Sequence, residues 1–93
     1  MIAQFTDLNT FYISMFEFIK TLKQSGYQEW AERLEVAIQG GSTSGEILGR
    51  LKMQLAEFQS TGIPDQIGCK DYVEKAITWI TKTVWPSALR VGN

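Results

Sequence analysis

Apolar residues recur at intervals of three and four in four separate segments of this chain. That spacing dictates helices that each bury one face. From about Asp7 to Ser25 the stripe is Leu8, Phe11, Tyr12, Met15, Phe18, Ile19 and Leu22. Over residues 28–39 it is Trp30, Ala31, Leu34, Ala37 and Ile38, with Tyr27 just before. Residues 44–60 carry Leu48, Leu51, Leu55 and Phe58, with Ile47 beside them, and residues 70–85 carry Tyr72, Val73, Ala76, Ile77, Ile80 and Val84. The fold class that follows is all-α: a single-domain bundle of about four helices. Short connections between the first three favour an antiparallel, up-down arrangement.

Local signals mark the ends of these segments. Thr6 or Asp7 is placed to cap the first helix, and Gly26 supplies the left-handed residue that closes many helices. Gly40 and Gly41 stop the second. Thr43-Ser44-Gly45-Glu46 has the form of a capping box, in which a hydroxyl and a carboxylate satisfy amides at a helix start. Gly49 lies inside the third helix, where glycine costs about 1 kcal/mol relative to alanine, and close approach of another helix would explain it. The stretch from Thr61 to Gly68 reads as irregular, because Pro64 disfavours helix at Ile63. Pro86 ends the fourth helix, and residues 86–93 read as a tail.

Ninety-three residues, 44% of them hydrophobic and 20% charged, suit one globular domain. The net charge is −1, with signs that alternate along the chain. No basic stripe is available to neutralise phosphates, so nucleic acid is not an expected partner. No run approaches the roughly 20 apolar residues that span a bilayer, and no membrane association is expected. Met1 to Gln4 lacks the basic and apolar regions of a signal peptide, and one cysteine, Cys69, cannot form an internal disulfide. These features together read as a cytoplasmic protein.

The sequence contains no histidine. Ser-His-Asp and Cys-His pairs, and histidine-ligated metals, are therefore ruled out. Gly40 and Gly45 match the glycine spacing of a phosphate-binding loop, but Glu46 stands where that loop needs lysine and would repel phosphate. The segment also follows a helix rather than a strand. Glu29, Glu32 and Glu35 are three apart and read as a solvated face. Cys69 precedes a helix whose dipole favours a thiolate, yet it has no basic neighbour in sequence to activate it. No catalytic residue, cofactor or metal site is expected.

Side chains beyond the stripes carry the functional signal. Phe5, Ile13, Phe16, Trp79 and Trp85 exceed what four narrow stripes bury, and clustered exposed apolar residues mark contact surfaces. The alternative is wide apolar faces covered by the tail. The leading reading is a non-enzymatic interaction protein that forms a homodimer or binds another protein. The second reading is a small-molecule binder, with a pocket between helices lined by Tyr12, Trp30, Tyr72 and Trp79.

Glu29-Trp30-Ala31-Glu32-Arg33-Leu34-Glu35, followed by Gly41-Ser42-Thr43-Ser44-Gly45-Glu46-Ile47-Leu48-Gly49-Arg50-Leu51, resembles a family of small uncharacterised bacterial proteins. Its members share a WAxxLExA helix and a GSTSGEILGxL turn and helix. The resemblance covers roughly residues 26–58. It implies a bacterial origin and a helical fold, and brings no activity with it. By analogy alone it suggests immunity-like partners of toxins or regulatory proteins.

Overall fold

The computed structural model describes residues 5–84, and all regular structure among them is helical. The described residues form five helices: α1 (Leu8–Gln24), α2 (Gln28–Gln39), α3 (Ser44–Ser60), α4 (Ile63–Ile67) and α5 (Lys70–Val84).

α1 begins where Asp7 caps it. The Thr10 backbone N–H donates to Asp7 Oδ1 at 2.8 Å, which also holds the Asp7 carboxyl below its ordinary pKa. The helix ends in a Schellman turn. Gly26 sits at φ +89°, the Tyr27 N–H reaches the Leu22 carbonyl at 2.9 Å, and the Gly26 N–H reaches that of Lys23 at 3.3 Å. α3 begins at Thr43, whose Oγ1 accepts the Glu46 N–H at 3.2 Å. The Glu46 carboxylate reaches back one residue further than in the usual box, to the Ser42 N–H at 3.0 Å.

The stretch Thr61 to Gly68 corrects the expectation of an irregular segment, because it contains the short helix α4. Gly62 (φ +81°) and Gly68 (φ +77°) bracket it in left-handed conformations. Pro64 falls in the first turn, where a helix needs no N–H from it, so the ring imposes no loss. Its burial, with Ile63 and Ile67 packed on the core, outweighs the restriction it places on Ile63.

One core joins all the long helices. It is built on Phe11, Met15, Phe18, Leu22, Leu34, Leu48, Leu51, Leu55, Phe58, Val73, Ala76 and Ile80, each no more than 1% exposed. α3 packs against α2 on one side and α5 on the other, and α2 packs against α1. No Cα of α1 comes within 8 Å of α5, and aromatic rings fill that wide seam. Trp79 stacks on Phe11 with centroids 4.6 Å apart, and Tyr72 tilts onto Phe18 at 4.7 Å. Ser14 and Tyr72 share a hydroxyl hydrogen bond of 3.0 Å across the same seam. Large rings therefore set the α1–α5 separation, whereas small residues such as Ala31 and Ala37 let α2 approach its neighbours closely.

Candidate interaction surfaces

The residues singled out in the sequence divide into three groups. Phe5 and Trp79 are drawn inward: Phe5 meets Phe11, Tyr72 and Trp79 edge to face, at centroid distances of 5.0, 5.9 and 5.9 Å. Both are partly buried against the core, where they close the α1–α5 seam rather than form a free surface. Ile13 and Phe16 are 57% and 50% exposed, three residues apart on the side of α1 that turns away from Met15 and Phe18. Trp85 lies outside the described residues.

The aromatics considered as a pocket lining are linked ring to ring. Trp30 lies 5.1 Å from Phe58, Phe58 lies 6.3 Å from Phe18, and Phe18 meets Tyr72, which meets Phe5. Tyr12 and Trp79 both pack on Phe11. The rings form a spine that fills the interior between the helices instead of surrounding a space. The Tyr12 hydroxyl is buried without a hydrogen-bond partner among the described residues.

A second apolar surface, not anticipated from sequence, lies over α2 and α3. Val36 is 57% exposed and Met53 68% exposed, the latter more than any other large apolar side chain described. Together with Arg33, Ala37, Arg50 and Gln54 they line an open groove of about 300 Å³. The Gln54 Oε1 there is buried and has no hydrogen-bond partner among the described residues. Met53 also borders an open depression of about 510 Å³ on α3, lined by Gly45, Glu46, Gly49, Arg50, Lys52 and Ala56. The signal is present in the sequence, because both residues fall off the apolar stripes of their helices.

The polar chemistry around these faces is modest. Arg33 lies over the Trp30 ring at 4.6 Å and reaches Glu29 at 3.4 Å and Glu57 at 3.8 Å, fastening α2 to α3. Lys23 and Glu35 pair at 3.0 Å between α1 and α2. Such exposed pairs contribute at most about 1 kcal/mol. Cys69 is partly buried, and burial pushes its thiol above the ordinary value, against the expected pull of the helix dipole. No three histidine, cysteine, aspartate or glutamate side chains gather into a metal site among the described residues, and no helix there is long and apolar enough to cross a membrane.

No protein-family model, curated protein or solved structure matches the chain.

Proposed function

We propose that this chain is a non-enzymatic interaction module that binds another protein, or a second copy of itself, through apolar helix faces. The observation that carries the reading is the pair Ile13 and Phe16, each half exposed or more, one turn apart on α1. Among the described residues α1 has only α2 as a backbone neighbour, which leaves its outer face uncovered by any other described helix. A hydrophobic pair at helical spacing is what one helix offers another across an interface. The chemistry of the titratable groups agrees: the protonation shifts at Asp7, Cys69 and Tyr72 have structural causes, a helix cap in the first case and burial in the other two.

An up-down course of α1, α2 and α3 fits this reading, because residues 25–27 and 40–43 are too short to carry the chain elsewhere. The lone cysteine suits a reducing, intracellular setting.

A photo-crosslinking residue placed at Phe16 tests the proposal in cells. It is expected to give a discrete adduct with a protein, or with a second copy of this chain, while the same residue at Lys75 on α5 gives none. Equal yields from the two positions, or no adduct from either, would reject the α1 face as a docking surface.

A further inference from the structure

We infer that residues 85–91 of this chain fold back across its own helices and seat Trp85, Leu89 and Val91 in the groove where α5 ends. The first residues of α1 and α3 and the last residue of α5 come together there, around a groove of about 560 Å³. Leu8 of α1, Leu48 of α3, and Trp79 and Val84 of α5 line it. Leu8, Trp79 and Val84 are only partly buried, so apolar surface is left on α1 and α5 alike.

The position of the groove identifies its occupant. Val84, which lines the groove, is the last described residue, and the segment beyond starts from it. That segment reads Trp85-Pro86-Ser87-Ala88-Leu89-Arg90-Val91. Pro86 disfavours helix at Trp85, which turns the chain off the α5 axis beside the groove. Side chains alternate along an extended course, and Trp85, Leu89 and Val91 then share one side. Seven residues at about 3.3 Å each reach roughly 20 Å, ample for a groove that begins at Val84 itself.

Charge and connectivity agree with this assignment. Asp7 is the only charged residue among the described ones that line the groove, and Arg90 is the only charged side chain in residues 85–93. The segment therefore brings the groove one charge of opposite sign. So short a tether holds the segment at an effective concentration in the millimolar range, which favours its own groove over that of a second copy. Ile13 and Phe16 do not line this groove, so the inference stands apart from the proposed function.

Methyl NMR of the full chain tests this directly. NOEs are expected from the Leu89 and Val91 methyl groups to those of Leu8 and Leu48, and they should persist when labelled chains are diluted into unlabelled ones. Leu89→Asp is expected to erase the Val91 contacts and to lower the melting temperature by about 5 °C or more. Ala88→Asp, on the opposite side of the segment, should shift it by less than about 2 °C. Four results would overturn the inference: no NOE from Leu89 or Val91 to the groove; NOEs that vanish on dilution, which would mean exchange between two chains; contacts from Ile2 in their place; or equal melting shifts in the two variants. None of them would bear on the cross-link expected from Phe16.

Discussion

Replacing Phe58 with alanine is expected to cost about 3–5 kcal/mol in urea-induced unfolding, the range for an aromatic ring removed from a sealed core. Phe58 has no exposed surface and sits where three helices meet: its own α3, α1 through Phe18, and α2 through Trp30. The void left behind cannot collapse easily, because the ring's neighbours are themselves large and held by further rings. For a domain of this size the total stability is on the order of 5–14 kcal/mol, so one substitution removes a large share of it. A loss below about 1.5 kcal/mol would mean that the ring spine is loosely packed and that the helices are held by other contacts.

Tyr72 makes stability fall steeply in alkali. Burial pushes its phenol up to about 12 from an ordinary 10.0, with the Ser14 hydrogen bond opposing. Below pH 10 both the folded and unfolded chains keep the proton, and the full contribution is present. Between pH 10 and 12 the unfolded chain releases it while the folded chain holds it, so stability declines as pH rises. The loss over that window is about 2–3 kcal/mol, from two units at about 1.4 kcal/mol each. Tyr72→Phe gives up the Ser14 hydrogen bond, about 1 kcal/mol at neutral pH, but is free of this alkaline decline. The difference in unfolding free energy between wild type and variant should therefore change sign on the way from pH 9 to pH 12. Parallel curves throughout would show that the phenol ionises without unfolding and is open to solvent.

The architecture was largely legible in the sequence because each long helix encodes its own buried face. Phe11, Met15, Phe18 and Leu22 repeat with helical period, and those residues are buried. Thr43 and Glu46 announce a helix start through groups that satisfy each other locally, with no help from the rest of the chain. α4 was not legible, since a five-residue helix has too little periodicity to register, and Pro64 is ambiguous between ending a helix and opening one. Its burial decides the matter, and burial is a tertiary property.

The interaction surfaces were legible only in part, for a related reason. A stripe fixes which face of a helix turns inward, but not how far away the opposite wall stands. The α1–α5 seam is wide, so Phe5 and Trp79, which look surplus when each helix is considered alone, are needed to fill it. Ile13 and Phe16 point away from that seam, and no helix among the described residues reaches across to cover them. Met53 and Val36 are not legible as a surface, because an aliphatic residue on a polar face is commonplace and their adjacency arises only when α2 and α3 pack together.

The most direct measurement is the urea stability of Ile13→Ser/Phe16→Ser, made at a protein concentration low enough to keep the chain monomeric. If these side chains form a face for a partner, the monomer does not need them. The double variant should then lie within about 1 kcal/mol of wild type, the range for surface substitutions at two sites. A loss above about 3 kcal/mol would contradict this, because losses of that size follow from removing large apolar groups from a protein's own core.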